Sequence, residues 1–516
     1  MILPPFGTLD PLSVGPNDQT GRDVIENLFV GLTRYDPLKN SVVPALAESW
    51  EFTPDYRQWT FKLREDAPWV RVENGTVIEA RPVVAGDFLY GLRRACDPNP
   101  PNPAAGTIFV IAGCRKVATT NPLLLDDIFI AQNLGLRVIN PTTLQITLAY
   151  PIPYLPNLLA LPEFRPLARE SFAMAAPEGT DWVQPTVALT NGPYALAARS
   201  AGGLMLIRNP FWKDESAGNL GQITVNFGAA DAVQAAIAAG TVDFARIDGG
   251  LASSLPADRV LRAAGLSVTV LGFSADTPVG ANENLRRALG LSVDRAAIAA
   301  LFGSAATPAV RFTSPAAIDA APLDPISFDV AAAQAAMAAV NARCAFPEPF
   351  EVWIDESPAA EAVAQALREQ WQQHLGCNPR QFRIVKQPSP IVQRLADGTY
   401  STVARNAPLR PPMWLYTFTP DHRDVTAWLA DGVHCRFGFL KTYAPCTDAD
   451  GQLDAAVMLP DAAARAQYIT AAEALWFGQA GTYPVIPLYH NVIFAYQGAA
   501  LQHASANGVW FADWQK

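Results

Sequence analysis

The 516-residue sequence predicts an α/β protein built from two or three lobes. A single hydrophobic core stops growing at roughly 250–300 residues, so a chain of this length divides into domains. Half of the residues are hydrophobic and 17% are charged, which favours a compact folded chain over a disordered one. Stretches with helical spacing alternate with stretches of strand spacing, and this alternation indicates mixed sheets covered by helices.

The first half of the chain provides the earliest elements of this pattern. Apolar residues at helical spacing in "DVIENLFVGLTR" predict a helix within residues 23–34 that ends at Gly31. "QWTFKL", residues 58–63, alternates apolar and polar side chains and predicts a half-buried strand whose aromatic rings face a core. A second helix starts near Asp87 in "VVAGDFLYGLRRACDP", and residues 143–149 alternate as a further strand.

The second half continues the alternation into a further α/β lobe. "DAVQAAIAAGTVDFARI" predicts a helix, a stop at Gly240 and a strand, and residues 283–302 predict two short helices. "FEVWID", a long helix over 358–375 and "FRIVKQ" form a predicted β-α-β unit. The sequence shows no internal repeat and no low-complexity linker, so we expect lobes that are wound together rather than tethered.

The cysteines indicate the compartment. None of them forms a C-x-x-C motif, which weakens zinc-binding and thioredoxin-like interpretations. Neighbours in sequence can form three local disulfides, and we favour this pairing, in an oxidising compartment, over six buried thiols in a cytosolic protein. The three pairs are Cys96 with Cys114, Cys344 with Cys377, and Cys435 with Cys446.

Charge and hydropathy exclude several classes of partner. The formal net charge of −10, without a block of lysine or arginine, argues against nucleic acid or an anionic membrane surface. No apolar run reaches the roughly 20 residues that a membrane-spanning helix needs. The chain opens on "MILPPFGTLDPLS" rather than on a charged region and an apolar core, so we expect a signal peptide or lipid anchor to have been removed ahead of Met1.

The sequence lacks the common local signatures of catalysis. G-x-S-x-G, H-E-x-x-H, G-x-G-x-x-G and the P-loop motif are all absent. The five histidines are scattered. His422 and His434 can share a face with Asp421 and Asp424, but metal ligation needs convergence, and isolated surface histidines are the favoured interpretation. We therefore expect no enzymatic activity, no metal and no cofactor.

An aromatic segment is the most distinctive remaining feature. In "MWLYTFTPDHRDVTAWL", residues 413–429, the side chains of Trp414, Tyr416 and Phe418 alternate and so share one face of a strand. One interpretation is a core strand with buried rings. The other is the wall of a ligand cavity, with an acidic residue at its end that can receive a cation.

A resemblance to a known family accounts for most of the chain. "VVPALAESWEFTPDYRQWTFKLREDAPW", residues 42–69, closely resembles the signature of the family 5 extracellular solute-binding proteins, the dipeptide-, oligopeptide- and nickel-binding components of ABC importers. Further blocks resemble that family in the same order, including "ENLFVGLTRYDP", "LQITLAYPIPYLPNLLALP", "TNGPYAL" and "NLRRALGLSVDRAAIAALFG". The segment "APWVRVENGTVIEARPVVAGDF" departs from it by being longer than the usual tight turn.

The resemblance implies a fold and a cellular location. It implies a bilobal periplasmic-binding-protein fold of the large, three-lobed type, with mixed sheets and a hinge. It further implies that lobe III closes on lobe I over the ligand and that a membrane permease recognises the closed form. We expect an extracytoplasmic monomer, in the periplasm or at the outer face of the cell membrane. The implied boundaries are 1–40 with 179–268 and 484–516 for lobe I, 41–178 for lobe II, and 269–483 for lobe III.

The resemblance also implies ligand-binding residues. Asp421 in "DHRDVTAWL" matches the position at which peptide-binding members hold the α-amino group of a peptide, and a carboxylate is a suitable partner for an ammonium group. The strand before it would pair with an extended peptide. Pro420 lacks one donor there and Trp414 is bulkier than expected; Asp421 can instead cap a turn with Arg423. The implied ligand-binding residues are Trp414, Tyr416, Thr417, Phe418, Thr419 and Asp421.

Other functions remain open at this stage. Aromatic clefts also suit oligosaccharides, and the histidines leave room for nickel or a metal chelate, both within the same family. A sensor that presents its ligand to a receptor, or a hydrolase with non-local carboxylates, are alternatives of other classes. Peptide delivery to an ABC permease is the leading hypothesis.

Overall fold

The chain forms two compact units, one of Met1–Ala263 with Phe494–Lys516 and one of Ala264–Ile493. It passes between them within two strands, Val260–Phe273 and Val485–Gln497. The division into three lobes and its boundaries stay a prediction. A computed structural model describes residues 1–15, 18–97, 105–174, 182–213, 218–318, 326–340, 344, 350–400, 410–440, 445–459 and 461–516.

The first unit contains a mixed sheet and smaller antiparallel sheets. The mixed sheet has the order β10-β11-β12-β1-β13, with β1 parallel to both neighbours, and the end of Val485–Gln497 pairs with β13. The other sheets have the orders β4-β5-β9-β8, β2-β3 and β6-β7. The strands are β1 (Ile2–Leu3), β2 (Thr33–Asp36), β3 (Ser41–Pro44), β4 (Ala47–Phe52), β5 (Gln58–Leu63), β6 (Pro68–Glu73), β7 (Thr76–Pro82), β8 (Leu136–Asn140), β9 (Thr143–Thr147), β10 (Tyr194–Ser200), β11 (Gly203–Arg208), β12 (Gln222–Phe227) and β13 (Phe244–Ile247).

Short helices connect these strands. Carboxylates fix their starts, since Asp18 accepts from the Gly21 amide at 2.8 Å and Asp87 accepts from the Val84 amide at 3.0 Å. Asp87 also accepts from the indole of the buried Trp69 at 2.8 Å. The helices are α1 (Gln19–Leu28), α2 (Ala85–Ala95), α3 (Ala105–Ile108), α4 (Cys114–Thr119), α5 (Asp127–Asn133), α6 (Leu155–Leu159), α7 (Arg169–Met174), α8 (Ala230–Ala238) and α9 (Gly249–Ser254).

The second unit is built on one mixed sheet of order β19-β14-β18-β16-β17, with β15 paired to β19. Here β14 and β18 are antiparallel, and β16 is parallel to β17 and β18. The strands are β14 (Val260–Phe273), β15 (Ala306–Pro308), β16 (Phe350–Ile354), β17 (Phe382–Lys386), β18 (Met413–Phe418) and β19 (Val485–Gln497). The helices are α10 (Pro278–Ala281), α11 (Glu283–Leu291), α12 (Arg295–Ala300), α13 (Val330–Ala339), α14 (Pro358–Leu375), α15 (Ser389–Ala396), α16 (Thr426–Trp428), α17 (Asp448–Ala456) and α18 (Ala462–Phe477).

Most elements expected from the sequence are confirmed. The β-α-β unit is β16, α14 and β17, with parallel strands, and β5 has the predicted bounds. The first helix is an exception, because Asp18 starts it earlier than predicted and it ends at Leu28. Gly31 therefore does not end a helix; a Cβ there would lie 2.9 Å from the Leu159 carbonyl oxygen, so the position requires glycine for close packing.

The three predicted disulfides are present. Cys96 bonds Cys114, Cys344 bonds Cys377, and Cys435 bonds Cys446. Of the helices in the described parts of the chain, none combines the length and apolar character needed to cross a membrane.

Candidate functional site

Strand β18 of the second unit carries four of the six residues predicted to bind ligand, Thr419 and Asp421 follow it, and β14 is its neighbour in the sheet. The register places Thr269 opposite Thr417 and Val270 opposite Tyr416. Since successive residues of a strand face opposite sides of the sheet, Thr417 lies on one face and Tyr416 on the other. The predicted residues are therefore divided between two different environments.

One face carries a row of hydroxyl groups. The Oγ1 atoms of Thr269 and Thr417 are 2.8 Å apart, and the Ser267 Oγ is 2.9 Å from the Thr419 Oγ1. Thr417 is exposed, whereas Thr269 is buried. The Asn491 side chain of β19 extends the row, because its Oδ1 accepts from the Ser267 amide at 3.0 Å. We call Ser267, Thr269, Thr417, Thr419 and Asn491 the hydroxyl face, and it offers hydrogen-bond donors and acceptors to a polar ligand.

The opposite face of β18 belongs to the hydrophobic core. Trp414 is fully buried, and Gly272 of β14 has no side chain where the Trp414 indole lies. Phe418 is buried and packs near Phe439, with ring centroids 5.8 Å apart. Tyr416 is the partly exposed member of the alternating set, and its ring stacks on Phe439 at 5.8 Å. Trp414 and Phe418 thus fill the core of this unit, and direct ligand contact stays a prediction for all six residues.

The segment after β18 is fixed by a buried carboxylate. Asp424 is fully buried, pairs with Arg465, and accepts from the Thr426 amide at 3.0 Å and from its hydroxyl at 2.7 Å. Burial acts to raise the pKa of Asp424, but Arg465, His422 and the bonds from Thr426 outweigh it, so the pKa lies below its usual value. Asp424 therefore stays ionised and holds the loop that presents the exposed Asp421.

The two histidines of this segment are buried, contrary to the surface interpretation. The His422 Nε2 lies 3.2 Å from an Asp431 carboxylate oxygen. Burial acts to lower the pKa of His422, but Asp431, Asp424 and Asp421 together raise it above its usual value. The His434 Nε2 lies 3.2 Å from an Asp454 oxygen. Each histidine is thus held by a neighbouring carboxylate, which the alternating pattern of the sequence does not reveal.

The potential ligand atoms of His434, Cys435 and Asp450 lie within 4.8 Å of one another, but these residues do not fit a metal ion. The Cys435 sulfur is committed to its disulfide with Cys446. Asp450 accepts from the Cys435 amide at 2.8 Å and from the Thr447 amide at 2.7 Å. These bonds serve the disulfide loop and the start of α17.

Sequence reasoning missed the residues of β14 and β19 that complete the hydroxyl face. Ser267 and Thr269 alternate in "GLSVTV" as Thr417 and Thr419 do in "YTFT", and this matched alternation is the available signal. Asn491 is far away in sequence, so only the sheet register brings it to the site.

Comparison with known proteins gives consistent results. The bacterial extracellular solute-binding proteins, family 5 Middle, match residues 41–420 of this chain. The chain is 29% identical over 385 residues to the probable deoxycholate-binding periplasmic protein YgiS of Escherichia coli K12, covering 72% of this chain and 68% of YgiS. It is 31% identical over 224 residues to the periplasmic oligopeptide-binding protein OppA of Salmonella typhimurium LT2, covering 42% of this chain and 36% of OppA.

Solved structures share the fold over the whole chain. The unliganded open form of the periplasmic murein tripeptide-binding protein MppA matches with a TM-score of 0.80 at 22% identity. The match covers 100% of this chain and 96% of MppA. The mixed α/β fold expected from the sequence is confirmed.

Proposed function

We propose that this chain, which belongs to the bacterial extracellular solute-binding proteins of family 5, captures a peptide outside the cytoplasm and delivers it to an ABC permease. Proteins of this family bind solutes and are not enzymes. The proposal concerns the class of solute and the residues that hold it.

The observation that carries the proposal is the exposed Asp421, three residues beyond the end of β18. The buried Asp424–Arg465 pair fixes the loop that carries it. A carboxylate held in place forms a charge-assisted hydrogen bond with an α-ammonium group without first having to order its own loop. Asp421 is therefore suited to hold the amino terminus of a peptide.

Strand β18 supports binding of the rest of the peptide. Within the described ranges, β16 pairs with β18 at Met413 and Trp414 only, and the proposed peptide adds as a strand on the same edge along Tyr416 to Phe418. The exposed Thr417 and the partly exposed Thr419 offer hydroxyl groups beside such a strand. Main-chain pairing with few side-chain contacts would tolerate different peptide sequences.

A second candidate ligand is an amphipathic carboxylate with hydroxyl groups, of which deoxycholate is an example. YgiS, which aligns with this chain over 385 residues, carries the name probable deoxycholate-binding periplasmic protein. The hydroxyl face can bond ligand hydroxyl groups without an ammonium group, and this observation favours the candidate. The two candidates make different demands on Asp421.

Calorimetric titration with three ligands separates them: a tripeptide with a free amino terminus, the same peptide acetylated, and deoxycholate. We expect the free peptide to bind. Acetylation of the peptide or Asp421→Asn should weaken its binding free energy by about 1.5–3 kcal/mol, the range for hydrogen bonds to charged groups. Asp258→Asn is a matched control, because Asp258 is a surface carboxylate, 72% exposed, in the other unit. Binding of deoxycholate alone, unaffected by Asp421→Asn, would replace the peptide proposal with the second candidate.

A further inference from the structure

A wide groove lies in the first unit. It is bounded by α2, α5 and the edge strand β8 and has a volume of about 1350 Å³. Besides Asp87, four lining residues of helix α2 follow the i, i+3, i+4, i+7 spacing of a single helix side. These residues are Gly86, Leu89, Tyr90 and Arg93. Helix α5 and the residue that follows it contribute a second such face, with Asp127, Ile130, Ala131 and Leu134.

Two of the four arginines that line the groove are neutralised within the unit. Arg81 pairs with Asp87 at 2.8 Å and with Glu170 at 2.6 Å. Arg93 pairs with Asp127 on the facing helix. These ion pairs involve all three carboxylates that line the groove.

The other two arginines, Arg137 and Arg169, form no ion pair with any residue in the described ranges. Both are exposed at the groove. Burial raises the pKa of the Tyr90 hydroxyl, and Arg94, Arg169 and Arg93 oppose that rise, so the positive charge extends to the tyrosine on the groove wall. The lining holds four arginines and three carboxylates, so the groove has a net formal charge of +1 in a chain of net charge −10.

Exposed apolar side chains lie on the segment that leads into α5 and in its first turn. Leu123, Leu124 and Ile128 are 91%, 65% and 67% exposed. Large apolar side chains grouped in this way are typical of surfaces that bind another protein. Arginine and tyrosine are also the residues that dominate binding energy at such surfaces.

The dimensions and charges favour a protein segment as the occupant. Small-molecule sites measure roughly 300–1,000 Å³ and enclose most of the ligand, whereas this groove has a volume of about 1350 Å³. An anionic membrane is disfavoured because Asp126 and Asp127 lie between the exposed apolar side chains and would be repelled by lipid phosphates. We infer that the groove docks an acidic, amphipathic helical segment of a partner protein, with its carboxylates paired to Arg137 and Arg169 and its apolar side on α2 and α5.

Fluorescence anisotropy with a synthetic probe tests the inference on the full chain. The probe is a labelled helical peptide of about 14 residues, with leucines at i, i+3, i+4 and i+7 and flanking glutamates; its twin carries lysines instead. We expect saturable micromolar binding of the glutamate peptide that weakens with added salt, and no saturable binding of the lysine twin. Arg137→Glu and Arg169→Glu should each weaken binding by about tenfold.

Arg380→Glu is the matched control, since Arg380 is an exposed arginine of the second unit and the charge change is the same. It should leave the affinity unchanged. Three results would each overturn the inference: equal binding of the two peptides, binding that neither groove variant weakens, or absence of saturable binding of the glutamate peptide. Preferential binding of the chain to phosphatidylglycerol vesicles, with no peptide binding, would do the same and would identify a lipid surface instead. The two groove variants lie on different elements, and circular dichroism confirms that each is folded before binding is compared.

Discussion

At the level of single residues, the Asp424–Arg465 pair fixes the loop that carries Asp421. Both side chains are buried, and removing one partner leaves an uncompensated charge in the interior. We predict that Arg465→Met lowers the free energy of unfolding of the second unit by about 3–5 kcal/mol, measured by urea denaturation. Arg380→Met, at an exposed position, should change it by less than about 0.5 kcal/mol. Equal effects of the two substitutions would show that the buried pair does not stabilise the unit.

We expect His490 to make the stability of the protein depend on pH. Burial lowers the pKa of His490 to about 4 from 6.5, and its Nε2 lies 3.0 Å from the Arg311 carbonyl oxygen. Between these values the unfolded chain binds a proton that the folded chain does not, so stability falls as the pH drops through this window, by up to about 3 kcal/mol.

We predict that His490→Gln flattens the pH dependence of unfolding between pH 6.5 and 4. His503→Asn is the control, because His503 is exposed and its backbone φ of 61° is one that asparagine tolerates. The control should keep the slope of the parent protein. A His490→Gln variant with an unchanged slope would assign the pH dependence to other groups.

At the level of elements, the contact between β14 and β18 depends on Gly272. A Cβ at this position would meet the Trp414 indole, which is itself fully buried. We predict that Gly272→Ala destabilises the second unit by about 1–3 kcal/mol through overpacking, as measured by denaturant unfolding. Gly451→Ala is the control, since Gly451 lies in α17 with open space around it and alanine should stabilise the helix by up to about 1 kcal/mol. A neutral Gly272→Ala would mean that β14 and β18 adjust freely.

Sequence periodicity was sufficient for elements with strong local signals and insufficient for the site. Alternation predicted the bounds of β5, and periodicity predicted the β-α-β unit, whose helix α14 is capped by Ser357 in the structure. The hydroxyl face needed the register of three strands that are far apart in the chain. The burial of Trp414 could not be separated from a cavity wall, because alternation identifies which residues share a face but not what covers that face.

At the level of the whole molecule, the family resemblance predicted more about the protein than its composition did. Composition predicted a compact chain, length predicted two or three lobes and periodicity predicted the α/β class. The ordered blocks of residues 42–69 and beyond predicted the family that the comparisons confirm. The solute could not be predicted in this way, because those blocks form the scaffold. The relatives differ in what their names say they bind, deoxycholate for YgiS and oligopeptides for OppA.

The most direct test of the central claim is native mass spectrometry of the protein with its co-purified ligands, released by mild denaturation and compared between the parent chain and Asp421→Asn. The account predicts a ladder of peptide masses on the parent chain and its loss from the variant, because the ammonium partner is removed while the fold is kept. Hexose-spaced masses, a steroid carboxylate or a metal, or a peptide ladder that Asp421→Asn leaves intact, would contradict it.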